Sequence, residues 1–228
     1  MRRIHTVTML ERKRIAEDAL EVSFSRPASF VFAAGQYIQV KLPGLMHADP
    51  RGDSRVFSIA SSPNDRERVS IAFRRSASGF KRSLEQMPLG GEVVLEGAHG
   101  FFALRQAPRR PIVLVAGGIG ITPHLSMIRF ASEQQFDAPL ALLYRNRSER
   151  SAVYLDELTA LARRNRSFSM RSTYSAVEVQ DVRRTAEDLP TAVWHLAGPA
   201  GMVDRVRSLL LLAGVDELRV CTEEFVGY

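Results

Sequence analysis

The sequence predicts two domains, an N-terminal antiparallel six-stranded β-barrel and a C-terminal α/β domain on a mostly parallel sheet. Three observations carry the prediction. Up to about residue 105, short alternating apolar stretches are separated by turn residues. Beyond Gln106-Ala107-Pro108-Arg109-Arg110, apolar runs alternate with helical periodicity. Between the two patterns lies Pro111–Pro123: a buried run, three glycines within four positions, then a helix start. The boundary divides the chain into 1–106 and 107–228.

The chain has 228 residues, 45% hydrophobic and 25% charged, enough for one large or two small cores. No apolar run approaches about 20 residues, so no membrane span is expected. No apolar stretch follows Met1-Arg2-Arg3-Ile4-His5, so no secretory signal is expected. Cys221 is the single cysteine, which rules out an internal disulfide or a four-cysteine cluster here and points to the cytoplasm. No metal site is anticipated. The net charge of +6 suits acidic partners, and suits a merely solvated surface equally well. No recognition helix or aromatic-interleaved basic run supports nucleic-acid binding.

In the first half, Arg2–Arg12 mixes Ile4, Val7 and Met9 with polar residues. Leu20, Val22 and Phe24 alternate with Glu21, Ser23 and Ser25. Gln36–Leu42, Ser54–Ser61, Arg68–Arg74 and Glu92–Glu96 complete the strands. Gly35, Pro43-Gly44, the 50–53 and 62–65 turns and Gly90-Gly91 punctuate them. One short helix is expected over Lys81–Met87, stopped by Pro88. In the second half the strands are Ile112–Ala116, Leu140–Tyr144, Phe168–Tyr174, Val193–Ala197 and Leu218–Cys221. The helices are Pro123–Glu133, Ala152–Arg164 and Pro199–Ala213, with Thr122 as N-cap of the first and Gly214 closing the last.

Several stretches suit ligand chemistry. Gly117, Gly118 and Gly120 before Thr122 and Pro123 allow backbone N–H groups to approach a phosphate, or simply make a tight strand-to-helix turn. In Arg55-Val56-Phe57-Ser58, alternation puts Arg55 and Phe57 on one face, a cation beside a ring. Such a strand would hold an anionic flat ligand, or expose a solvated arginine. Ser58, of opposite parity, could donate to a ring nitrogen. Gly79-Phe80-Lys81 opens a helix beside cations, a second anion site or a plain helix entry. Gly198-Pro199-Ala200-Gly201-Met202 lies where parallel sheets place ligands, or is a helix with proline at its start. The aromatic-bearing end, Glu223–Tyr228, would cover something flat or dock as an edge strand.

Together these stretches, in their order, resemble the ferredoxin–NADP reductase family of flavoproteins in its compact bacterial form, over essentially the whole chain. Arg55-Val56-Phe57-Ser58 is similar to that family's flavin signature, and Gly79-Phe80-Lys81 falls at its flavin-pyrophosphate site, with Lys81 where many members have serine or threonine. Glu96–Phe102 resembles its glycine-proline-x-glycine-x-phenylalanine segment, with Ala98 for the proline. Gly117–Pro123 resembles the nicotinamide-nucleotide loop. Ala197–Met202 resembles the cysteine-glycine-proline motif, with Ala197 for the cysteine. The resemblance implies a FAD-binding barrel, a Rossmann-like NAD(P)-binding domain and hydride transfer from NADH or NADPH to FAD. Electrons would then pass to an acidic carrier, ferredoxin or flavodoxin. Alternatives are a reductase component of a multicomponent oxygenase, or a nucleotide-binding electron-transfer subunit without independent activity. The implied flavin contacts are Arg55, Val56, Phe57, Ser58, Phe73, Gly79, Phe80, Lys81 and Tyr228. Gly117, Gly118, Gly120, Thr122, Pro123, Gly198, Pro199 and Met202 are the implied nucleotide contacts. Ser58, Glu223 and Tyr228 are placed at the reacting centre, Tyr228 as a displaceable cover. Arg147 could reach a 2′-phosphate, but Ala176 stands where NADP-specific members often carry arginine, so the choice of nucleotide stays open.

Overall fold

The computed structural model describes residues 4–104 and 106–225. Six antiparallel strands form the first half: β1 (Ile4–Ala16), β2 (Ala19–Ser25), β3 (Tyr37–Lys41), β4 (Ser54–Ser58), β5 (Arg68–Arg74) and β6 (Glu92–His99), in the order β4-β3-β6-β1-β2-β5. The outer strands meet through an Ile59–Ile71 bridge and the Ala60 N–H donating to Ser70 O at 2.7 Å, so the sheet closes into the expected barrel. Its interior is aromatic and branched: Phe24, Phe30, Phe73, Ile38 and Ile71 are all buried. Helix α1 (Gly79–Gln86) covers one end and sends Phe80 and Leu84 into that core.

The second half is a five-stranded parallel sheet in the order β11-β10-β7-β8-β9. Its strands are β7 (Ile112–Gly117), β8 (Leu140–Arg145), β9 (Phe168–Thr173), β10 (Val193–Pro199) and β11 (Val220–Phe225). Every residue of β7 is buried, as a central strand covered on both faces requires. Helices α2 (Ile121–Glu133) and α3 (Leu155–Arg164) pack with Leu114, Leu142 and Tyr144 on one face. Helices α4 (Val179–Asp188) and α5 (Ala200–Leu212) pack with Val113, Val115 and Leu196 on the other. The chain turns to opposite sides of β7 through β8 and β10, so a crevice opens at their carboxyl ends, where such sheets place ligands.

The structure departs from expectation in several places. Helix α4 went unread because its apolar face, Val182, Ala186 and Leu189, is regularly spaced but sparse in a highly charged segment, with Val182 its one buried residue. Thr122 does not cap α2: it lies inside the helix and its Oγ1 donates back to Ile119 O at 2.7 Å. A 3₁₀ turn at Gly118–Gly120 leads into α2, and Pro123 is tolerated as its third residue because first-turn N–H groups have no intrahelical acceptor. Tyr154, at φ 60°, delays α3 to Leu155. The last strand is Val220–Phe225 rather than Leu218–Cys221, because its pairing with β10, from Trp194–Val220 to Pro199–Phe225, sets its bounds. Glu223–Phe225 thus lie on an edge strand, one of the two expectations for the chain end, whose residues 226–228 lie outside the described residues.

A polar seam joins the halves. Arg129 of α2 makes a two-point contact with Glu157, donates to Ala60 O of the barrel at 2.9 Å and lies 3.7 Å from Glu21 of β2. Tyr154 OH donates to the same Glu21 at 2.7 Å, and Ser126 Oγ to Ser61 O at 2.7 Å.

Candidate functional site

Between the barrel and the carboxyl ends of the parallel sheet lies a cleft of about 530 Å³. The end of β4 supplies Arg55, Val56, Phe57 and Ser58; β5 supplies Ala72 and Phe73; the glycine turn and α2 supply Ile119 and Thr122. The end of β11 adds Glu223, Glu224 and Phe225. Eight of the expected residues therefore share one space: Arg55, Val56, Phe57, Ser58, Phe73, Lys81, Thr122 and Glu223.

Alternation along β4 fixes their roles. Arg55 and Phe57 both turn toward Phe80: the guanidinium lies 5.3 Å from that ring's centroid and the Phe57 ring 6.0 Å. Phe57 also stands 6.0 Å from Phe73 and is only 8% exposed, so it forms an apolar wall continuous with the barrel core. Ser58, on the opposite parity, donates to Glu223 Oε1 at 3.2 Å. Burial pushes the Glu223 carboxyl up to about 7, partly offset by that hydrogen bond. Its second oxygen is buried with no hydrogen-bond partner. A carboxyl titrating near neutrality, with one oxygen unspent, can hold or release a proton facing the cleft.

The opposite end is cationic, with Arg51, Arg55 and Lys81 along the rim beside Ser54, Ser76 and Ser78. Burial lowers the Lys81 ammonium, and the charges of Arg55 and Arg51 lower it further. Phe80 differs from expectation. Its ring is fully buried in the barrel, and its N–H donates to Asp49 Oδ2 at 2.9 Å. Gly79 is needed for approach of chain to chain, since a Cβ there would lie 2.2 Å from Ala48 O. Asp49 was not anticipated. Its signal was the turn Asp49-Pro50-Arg51-Gly52, where an aspartate caps a backbone N–H two residues on, as Asp49 does with Arg51 at 2.9 Å.

The glycine turn lies at the crevice between β7 and β10. A Cβ on Gly120 would stand 2.4 Å from Ala197 O, and one on Gly117 2.5 Å from the Met202 sulfur. Gly198, at φ 153°, closes the same contact from β10. Gly117, Gly120, Gly198 and Met202 therefore meet at the sheet ends, beside rather than within the cleft walls. Pro123 is buried in α2 and Pro199 ends β10. Arg147 is exposed on the loop after β8, away from the cleft lining. Tyr228 lies outside the described residues. Phe225, missed as a site residue, is the described aromatic of the chain end that lines the cleft.

The donor set fits a flavin dinucleotide: a cationic, hydroxyl-rich end for phosphates, an apolar middle for a flat ring, and an unspent carboxyl oxygen beyond it. The glycine turn at the switch point fits a second nucleotide. Fold and cleft together define a two-part dinucleotide-handling module of the reductase type. The family model described as an oxidoreductase NAD-binding domain matches residues 114–208. The 2-halobenzoate 1,2-dioxygenase electron transfer component of Burkholderia cepacia is 30% identical over 96% of this chain and 67% of its own length. The propane 2-monooxygenase reductase component of Rhodococcus jostii is 27% identical over 92% of this chain, which spans 60% of that relative's length. The FAD/NAD-binding domain of nitric oxide dioxygenase from Vibrio cholerae superposes with a TM-score of 0.80 at 19% identity, covering 96% of this chain and 98% of that one. The chain belongs to the ferredoxin–NAD(P) reductase family of FAD- and NAD(P)-binding oxidoreductases. Among the described residues no helix is long and apolar enough to cross a membrane, and no three His, Cys, Asp or Glu side chains gather to hold a metal.

Proposed function

We propose that this chain is a flavin-dependent reductase that takes hydride from NADH or NADPH and delivers electrons to a separate acidic carrier protein, a ferredoxin or flavodoxin. In this reading residues 1–106 hold FAD and residues 107–228 bring the nicotinamide nucleotide to it. When bound, the flavin supplies the redox chemistry, accepting a hydride and releasing electrons one at a time. The chain's own residues position and tune. Arg55, Lys81 and Arg51 meet the phosphates, while Phe57 and Phe73 wall the ring. Ser58 orients the reacting edge and shares its hydroxyl with Glu223. Glu223 holds or yields a proton there, Phe225 limits access of water, Tyr228 covers the ring until nicotinamide displaces it, and Gly117–Pro123 with Gly198–Met202 shape the nicotinamide side. Single-cysteine composition supports a cytoplasmic setting.

The observation that supports this best is the Ser58–Glu223 hydrogen bond, because it brings the barrel and the parallel sheet to one point inside one cleft. A second reading, in which the carrier serves an oxygenase, is favoured by the names of the halobenzoate and propane relatives. The purified protein is expected to be yellow and to bleach anaerobically with NADH, NADPH or both. Colourless protein that takes up no FAD, or a yellow protein that neither nucleotide bleaches, would overturn the reading. Bleached protein that reduces an oxygenase-associated ferredoxin much faster than flavodoxin would favour the second.

A further inference from the structure

We propose that Asp49 is the positioning residue of the phosphate end, locking Arg55 and the first turn of α1 into one fixed unit. The inference rests on the reading of the cleft as a FAD site.

The Asp49 side chain is 3% exposed and that of Arg55 is 10% exposed, their closest atoms 2.5 Å apart. Asp49 Oδ2 accepts from the Phe80 N–H at 2.9 Å and from Ser78 Oγ at 2.7 Å. Its Oδ1 accepts from the Arg51 N–H at 2.9 Å. Arg55 Nη1 in turn donates to the carbonyls of Arg51, Gly52 and Ser54 at 3.0, 3.1 and 2.6 Å. Two of those carbonyls belong to the turn that Asp49 begins. Asp49 therefore holds the guanidinium directly and also shapes the backbone that holds its other edge.

Two first-turn donors of α1 are already committed: the Phe80 N–H goes to Asp49 and the Lys81 N–H to Ser78 Oγ at 3.4 Å. A phosphate at this end would therefore draw on the cationic side chains as well as on backbone N–H groups. The segment before Asp49 is tied to α1, because the bare Gly79 lets Ala48 O approach to where a Cβ would stand 2.2 Å away, and the His47 N–H donates to Ser83 Oγ at 3.0 Å. Asp49 acts as a brace in this arrangement.

The test compares FAD with riboflavin, which carries the same ring and no phosphate, by fluorescence titration of flavin-free wild type, Asp49→Asn and Asp49→Glu. Asparagine keeps one acceptor but sets an N–H₂ against the Phe80 N–H or the guanidinium. Asp49→Asn is expected to weaken FAD binding on the order of tenfold, as when residues orienting a ligand-holding group are changed. Riboflavin affinity should stay unchanged and Asp49→Glu should recover part of the loss. If Asp49→Asn does not fold, Ser78→Ala removes one of its partners and should give a smaller loss, again for FAD alone. Unchanged or tighter FAD binding in the variant would overturn the proposal, as would equal weakening of both flavins. Wild type that binds neither flavin would overturn the FAD reading itself.

Discussion

Ser58 and Glu223 lie 165 positions apart in the sequence, and their side chains meet at 3.2 Å inside the cleft. The serine ends a barrel strand and the glutamate sits on the edge strand of the parallel sheet. Their contact joins the barrel to the parallel sheet inside the cleft.

That contact predicts a pH dependence. Burial lifts the Glu223 carboxyl from an ordinary 4.5 to about 7, so the folded state keeps its proton where the unfolded state has lost it. The stabilising contribution is present below 4.5 and is lost as pH rises through about 7. Glu223→Gln should remove this loss, seen as a difference in melting temperature that grows from acid to neutral pH. The Ser58 hydrogen bond opposes the shift, so Ser58→Ala should move the carboxyl higher still, measured by carbon NMR of labelled glutamate. A titration unchanged by Ser58→Ala would contradict the contact.

Two histidines act with the opposite sign. His124 is fully buried with no hydrogen bond of normal geometry to either ring nitrogen, and the Phe102 ring packs against it at 5.6 Å and against His195 at 5.0 Å. Burial lowers His195 to about 4 and His124 well below its ordinary 6.5. The unfolded chain takes up protons below 6.5 while the folded one resists, so stability falls as pH drops from 6.5 toward 4. Each histidine contributes a slope of up to about 1.4 kcal/mol per pH unit. His124→Leu should flatten the acid side of the stability profile in urea titrations.

Arg129 predicts the strength of the seam. It serves Glu157, Glu21 and Ala60 O with a side chain 19% exposed. Arg129→Met leaves two carboxylates facing each other without a cation and should cost about 3 kcal/mol in denaturant unfolding. Loss of less than about 1 kcal/mol would show the pair to be solvated.

Gly120→Ala tests the glycine turn. Its φ is −62°, so conformation allows alanine, but the new methyl would meet Ala197 O and Gly198 Cα at 2.4 and 2.6 Å. Both are backbone atoms and cannot rotate away. The substitution should cost about 1–3 kcal/mol and weaken nicotinamide-nucleotide binding more than flavin binding, measured by parallel titrations.

Much of this was legible from local pattern. The parity of Arg55, Phe57 and Ser58 placed the first two toward Phe80 and the third toward β11. The run Ile112–Ala116 reads as a strand covered on both faces because full burial demands unbroken apolar residues, and β7 is that strand. Helix α4 was hidden because its few apolar residues, though spaced for one face, are diluted by charged ones. Asp49 was hidden because an aspartate in a proline-glycine turn looks the same whether it caps its own loop or a helix that begins 30 residues later.

The sequence by itself determined the strands, most helices, the glycine turns and the basic character of the chain, since each depends on neighbours within a few positions. Only the tertiary structure decided which donors remain for a ligand, that Asp49 holds Arg55, and that Glu223 meets Ser58 and titrates near neutrality. Those properties depend on burial and on groups brought together from distant segments, and neither is encoded in local spacing.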